Sequence, residues 1–257
     1  MSKRHIMEII LSGFAASLAA GLATSLGGLP VFYFKKIDHK AYSAMLGVSG
    51  GIMLAATIFS LLLPAIEKGG VYMAAAGLLC GVVFVEAIAR LVPHEHFFKG
   101  HEGPDTDLKR IFLFILAITI HNFPEGMSVG VGYGAGDLKN ALALAVGIGI
   151  QNIPEGAAVA LPMLSLGYRP KQAFGVAFLS GLVEPVGGLL GVSAVTVFSG
   201  VLPFALSFSA GCMLYVISGE MIPESHEKGY GKLATWYLVG GFVIMMLLDN
   251  LLGASPS

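Results

Sequence analysis

The sequence predicts an all-α integral membrane protein of eight transmembrane helices, and three observations carry that prediction. Apolar residues make up 55% of the 257 residues and charged residues only 12%, with a mean hydropathy of +0.79, which leaves too little polar surface for a soluble domain of this size. Apolar stretches long enough to cross about 30 Å of hydrocarbon as helices recur along the whole chain. None of them alternates with period two, which argues against barrel strands. The 35 glycines fit close helix contacts in lipid, where small residues let backbones approach. A net charge of -1, from 15 Lys and Arg against 16 acids, gives no reason to expect a nucleic-acid partner.

The spans fall at about Met7 to Phe34, Tyr42 to Ile66, Val71 to Val92, Leu108 to Tyr133, Asn140 to Leu166, Gln172 to Phe198, Val201 to Met221 and Leu233 to Leu252. They make one transmembrane domain over residues 1–257. The first apolar stretch has no convincing small-residue cleavage site and reads as a span, not a removed signal. Cys80 and Cys212 both lie in apolar segments and read as small buried side chains without a disulfide.

Basic residues set the orientation. Lys35, Lys36, Lys40, Arg90, Lys99, Lys109, Arg110, Arg169, Lys171, Lys228 and Lys232 fall on one side, against Lys3, Arg4, Lys68 and Lys139 on the other. By the positive-inside bias the first set is cytoplasmic and both termini face outward from the plasma or inner membrane. The long loop from about Pro93 to Asp107 is then cytoplasmic. It interleaves His94, His96 and His101 with Glu95, Glu102, Asp105 and Asp107, a composition that suits either a solvated loop or one that gathers divalent ions loosely.

The chemistry concentrates in a hexapeptide that occurs twice: His121-Asn122-Phe123-Pro124-Glu125-Gly126, then Gln151-Asn152-Ile153-Pro154-Glu155-Gly156. On a helix, residues i and i+4 share a face, so His121 pairs with Glu125 and Gln151 with Glu155. Pro124 and Pro154 free the carbonyls of Ile120 and Ile150, and Gly126 and Gly156 admit a second backbone. Both motifs lie near the middle of their spans, which a short connection makes antiparallel neighbours. Glu184 adds a third acid at similar depth, in Ser180-Gly181-Leu182-Val183-Glu184-Pro185. Left bare, each such carboxylate costs about 2.5 to 3.5 kcal/mol on insertion scales. One divalent cation, or two sharing bridging carboxylates, offsets that cost. Imidazole, carboxylate and amide oxygens without a nearby thiolate suit Zn²⁺, Fe²⁺, Mn²⁺, Co²⁺ or Cd²⁺.

These residues resemble the ZIP family of divalent-metal transporters in its prokaryotic branch. The resemblance rests on HNFPEG, QNIPEG and SGLVEP in that order on consecutive spans, and takes in nearly the whole chain. It implies a binuclear centre in mid-membrane on the fourth, fifth and sixth spans. His121, Glu125, Gln151 and Glu155 match the first site, and Asn122, Asn152 and Glu184 the second, with Glu125 and Glu155 bridging. It also implies an inverted repeat of the first and last three spans around spans four and five, and a homodimer. Two departures stand out: Gln151 where many members have His, with Asn152 where some have Asp, and a second span without His or acid before Pro64. Met53 offers a thioether there, though a methionine on such a helix commonly serves packing.

Other polar residues near the spans have simpler roles open to them. Glu86 can pair with Arg90 four residues on, and Asp249 lies close to a helix end. Glu220, Glu224 and His226 stand at the cytoplasmic mouth of the seventh span, as an exit station for the ion or as ordinary boundary residues. The expected function is uptake of a divalent metal, zinc or a related ion, into the cytoplasm. A channel-like selective pathway is a second reading. A third, an intramembrane metalloenzyme, lacks the H-E-x-x-H pattern and a second histidine at the midplane. Protease or label access to the C-terminus is expected from the extracytoplasmic side, and cytosolic access would overturn both the orientation and the span count.

Overall fold

The computed structural model describes residues 3–34, 38–96, 100–102 and 110–253, and they form a helical membrane protein. Its helices are α1 (Lys3–Gly28), α2 (His39–Ala56), α3 (Leu63–Leu91), α4 (Arg110–Gly134), α5 (Leu138–Ser165), α6 (Pro170–Gly181), α7 (Glu184–Val197), α8 (Leu202–Val216), α9 (Ile222–His226) and α10 (Gly231–Leu248). Among the described residues, six helical segments are long and apolar enough to cross a membrane: Arg4–Phe32, His39–Leu91, Leu138–Ser165, Pro170–Val197, Leu202–His226 and Gly231–Leu252.

Local chemistry sets the ends and interruptions. The Asp38 side chain accepts from the Lys40 N–H ahead of α2, and the Asp137 side chain accepts from the Asn140 N–H ahead of α5, satisfying donors that a helix start leaves orphaned. The segment His39–Leu91 is broken at Gly70, where φ is 76° and ψ 166°, a conformation that a side chain disfavours. Two wide π turns, Thr57–Leu62 and Ile217–Met221, each precede a proline, Pro64 and Pro223. Proline removes a backbone donor and crowds the turn before it, and widening that turn accommodates both effects.

One expectation needs revision here. The sixth span is not a single helix from Gln172 to Phe198: it stops at Gly181 and restarts at Glu184 as α6 and α7. Pro185, in the first turn of α7, cannot donate into a helix continuing from α6. The restart places Glu184 in the first turn, where the positive end of the helix dipole favours its charge.

The helices pack as two sets. In one, α1 lies against α4, α5, α6 and α7, and α4 against α7; in the other, α2 packs on α10 and α3 on α8. The main core joins them through Met53, Leu61, Leu144, Ile148, Leu206, Met213 and Met245. The backbones of His94–His96 and Gly100–Glu102 pair as an antiparallel ribbon, with Glu95 opposite His101, where an unstructured loop is expected. The side chains of His94, His96 and His101 lie outside the described residues. Cys212 is buried, but Cys80 is exposed on the outer face of α3, a correction to the expectation that both are buried. An apolar run shows that a segment meets lipid or protein without showing which.

Close backbone approaches recur along these helices, and the hexapeptide glycines are among them. A Cβ at Gly126 would overlap the carbonyl oxygen of Glu184, and one at Gly156 would overlap that of Thr24. Because backbone atoms cannot swing aside as a flexible side chain can, Gly156→Ala is expected to cost on the order of 3 kcal/mol. A fall in the thermal midpoint of the purified protein would register it, and an unchanged midpoint would show that α1 is not held this close.

Candidate metal centre

The residues singled out in the sequence come together where α1, α4, α5 and the α6/α7 break meet. His121, Asn122 and Glu125 lie on α4, Gln151, Asn152 and Glu155 on α5, and Glu184 opens α7. All seven are buried, His121 being the most open at 9%. Glu125, Glu155 and Glu184 are close enough for their charges to act on one another.

Asn152 organises one side of this cluster. Its Nδ2 donates to Glu184 Oε1 at 2.8 Å and to the Ala20 carbonyl at 2.9 Å, while its Oδ1 accepts from Gln151 Nε2 at 3.4 Å. Ser49 of α2 donates to the Gln151 carbonyl at 2.8 Å, one turn ahead of Pro154. On the other side, His121 Nε2 is hydrogen-bonded to Glu220 Oε2, joining α4 to the π turn that follows α8.

What is left unpaired decides what the cluster can do. Among the described residues, eight buried side-chain oxygens or hydroxyls lack a hydrogen-bond partner, and six of them belong to the seven predicted residues: Asn122 Oδ1, both carboxylate oxygens of Glu125, Gln151 Oε1, Glu155 Oε2 and Glu184 Oε2. Buried polar atoms are nearly always paired, so such a concentration marks a place built to receive positive charge. Every one of the six is an acceptor; a cation satisfies acceptors, whereas an anion would face only repulsion. Among the described residues no three His, Cys, Asp or Glu side chains stand together as a ready cage for one ion. The amide oxygens of Asn122 and Gln151 therefore have to complete any coordination shell.

The remaining candidates are placed differently. Met53 is buried in the apolar core. Glu224 Oε1 accepts from Tyr42 Oη at 2.8 Å. His226 is turned away from the acids, with Nδ1 beside the Ile222 carbonyl and Ser225 Oγ at 2.9 Å and Nε2 beside Thr235 Oγ1 at 3.0 Å. Glu86 does meet Arg90, and Tyr215 donates to it as well. Asp249 accepts from Ser60 Oγ at 2.6 Å. Two of these partners escaped sequence reasoning. Tyr42 and Ser49 sit in ordinary apolar-helix surroundings, and no motif or charge marks them.

With this geometry in view, comparison with known proteins is direct. A family model described as ZIP Zinc transporter matches residues 99–249. The chain belongs to the ZIP family. Members of that family are transporters and not enzymes, which removes the metalloenzyme reading. This ZIP protein is 45% identical over 252 residues to the zinc transporter GufA of Myxococcus xanthus, covering 94% of this chain and 99% of the relative. It is 40% identical over 259 residues to the zinc transporter ZIPB of Bordetella bronchiseptica, covering 97% and 82%. It is 34% identical over 324 residues to the human zinc transporter ZIP11, covering 90% and 94%.

Glu125, with both oxygens unpaired, supplies a test of this ZIP site that does not depend on transport. Glu125→Gln keeps the shape and removes the charge, so the metal-free protein is expected to be at least as stable as the parent. Its thermal stabilisation by Zn²⁺, about 2.7 kcal/mol at a hundredfold excess over Kd in the parent, should largely vanish. Full stabilisation of the variant would exclude Glu125 from the ion's shell.

Proposed function

We propose that this protein takes up a divalent transition metal, Zn²⁺ first among them, from outside the cell into the cytoplasm through a two-ion centre in mid-membrane. The observation that carries this reading is the convergence of six unpartnered acceptor oxygens on Asn122, Glu125, Gln151, Glu155 and Glu184 at the core of a membrane protein. One ion takes His121, Glu125, Gln151 and Glu155; the second takes Asn122, Asn152 and Glu184; Glu125 and Glu155 bridge them. Fe²⁺, Mn²⁺, Co²⁺ and Cd²⁺ fit the same donors, since none of them requires a thiolate.

Each ligand has a definable task. The carboxylates neutralise the ion's charge in a low-dielectric setting where hydration is lost, and the amides add oxygens without adding charge. His121 begins bonded to Glu220, so its ring must exchange one partner for the other as the ion passes. Glu220, then Glu224 with its Tyr42 hydrogen bond, forms a descending series of acids toward the cytoplasm, which His226 joins only by rotating off Thr235. Exchange among several weak partners lets an ion leave as readily as it enters.

The architecture proposed around this centre has eight crossings with both termini outside, in an inverted repeat of three, two and three helices, assembled as a homodimer in the plasma or inner membrane. In this proposal His39–Leu91 counts as two crossings divided at the Gly70 break, and the 25-residue α4 counts as another. The likeness of the second and seventh crossings, each with a π turn just ahead of a proline, supports the repeat.

Metal flux into proteoliposomes tests the function. Zn²⁺ entry should saturate, and Glu155→Ala should reduce it tenfold or more while the protein remains folded. Because ligands must be deprotonated to bind, binding should weaken as pH falls. Unchanged flux in folded Glu155→Ala would sink the role given to the second hexapeptide, and Fe²⁺, Mn²⁺ and Cd²⁺ run in parallel fix the selectivity.

A further inference from the structure

Hydroxyls inside these helices follow one habit with few departures. Ser17, Thr57, Ser128, Thr196, Ser207, Ser218 and Thr235 each donate back to the carbonyl four residues earlier, the usual way for a serine or threonine to satisfy itself in an apolar helix. Thr24 of α1 does not. It is 1% exposed, yet its Oγ1 makes no hydrogen bond of ordinary geometry. The carbonyl four residues back belongs to Ala20, and Asn152 Nδ2 already donates to it at 2.9 Å.

The surroundings of Thr24 are those of the metal centre. Its carbonyl lies against Gly156 of the second hexapeptide, and its Cβ lies beside Gly181, at the end of α6. Its hydroxyl lies close enough to the Glu184 carboxylate to favour its charge as a weak donor, but no hydrogen bond of ordinary length and angle joins them, and Glu184 Oε2 has none from elsewhere. The same amide that occupies Ala20 holds the other oxygen, Oε1, at 2.8 Å. Two oxygens with at most a weak contact to each other therefore stand side by side, both shielded from bulk water.

We propose that the Thr24 hydroxyl is a further oxygen donor of the centre, brought by α1 to the Glu184 side, so that the second ion is held from four helices and not three. This rests on the two-ion reading given above. A hydroxyl is a neutral, hard donor; it adds coordination without charge at a site where Asn122 and Asn152 are the other neutral groups, and it leaves Glu184 as the sole acid not shared with the first ion. The Asn152 contact to Ala20 has a purpose in this arrangement, since it keeps the threonine from turning back on its own helix.

Thr24→Val and Thr24→Ser separate this role from packing, because valine keeps the volume and loses the oxygen whereas serine keeps the oxygen and loses a methyl. In calorimetric titration of the purified protein with Zn²⁺, Thr24→Val should keep the first binding event and weaken the second about 10-fold, and Thr24→Ser should restore it. Valine binding both ions as the parent does, or serine losing as much as valine, would overturn the assignment. Glu184→Gln run alongside tells the two levels apart. If it leaves the second event intact, the two-ion reading fails and this inference with it; if it abolishes that event while Thr24→Val does not, only the threonine assignment falls.

Discussion

Three carboxylates buried within reach of one another, at a depth where neither water nor a basic side chain from their own helices can serve all of them, set the terms for the rest of this molecule. Like charges in such a place repel, and each loses hydration worth several kcal/mol. The surrounding structure reduces that cost only in part. Asn152 donates to Glu184, the first turn of α7 lends its dipole to the same residue, and His121 is given to Glu220 and not to its own hexapeptide partner. Complete internal compensation would make the acids ordinary buried polar groups with no remaining affinity for an ion. In the proposed two-ion centre, the residual imbalance is what gives the acids their affinity for a cation.

Close packing follows from the same constraint. Side chains on three different helices converge here because the backbones around them approach more nearly than side chains usually allow, and Gly126 and Gly156 lie at two of these close approaches. The prolines contribute differently. By withholding an N–H they leave the carbonyls of Ile120 and Ile150 without their usual donors, and in the turn before Pro154 Ser49 of α2 donates to the neighbouring Gln151 carbonyl. Contacts of this kind, with His121 to Glu220 and Ser128 to Met213 Sδ at 3.2 Å, tie the set containing α4 and α5 to the set containing α2 and α8. Several of these ties sit at the centre itself, so occupancy there and the fit between the two sets are physically linked.

How much of this could be read from the sequence depended on whether a feature runs against its surroundings. The hexapeptides were legible because His, Glu, Asn and Pro in apolar sequence are costly without a use, and the helical character was legible from span length alone. The break ahead of Glu184 was less so, since Pro185 tolerates either a kink or a restart. The outward position of Cys80 and the partnership of His121 with Glu220, 99 residues away, depend on helix rotation and on which helices meet, and neither leaves a periodic trace. Thr24 was invisible for a further reason. A threonine in an apolar helix normally satisfies itself, and only the theft of its acceptor by Asn152 makes it unusual.

The wide turns ahead of Pro64 and Pro223 carry one more consequence. A π turn holds one residue more than an α turn for nearly the same advance along the axis, so it is a segment with a spare residue wound into it. Were the turn Ile217–Met221 to rewind as α, the helix on one side would have to rotate relative to the other by about 100°. Glu220 lies within that turn, and so the orientation of its carboxylate is tied to a winding number: the helix can re-aim the group by twisting in place, with no need for the whole rod to travel.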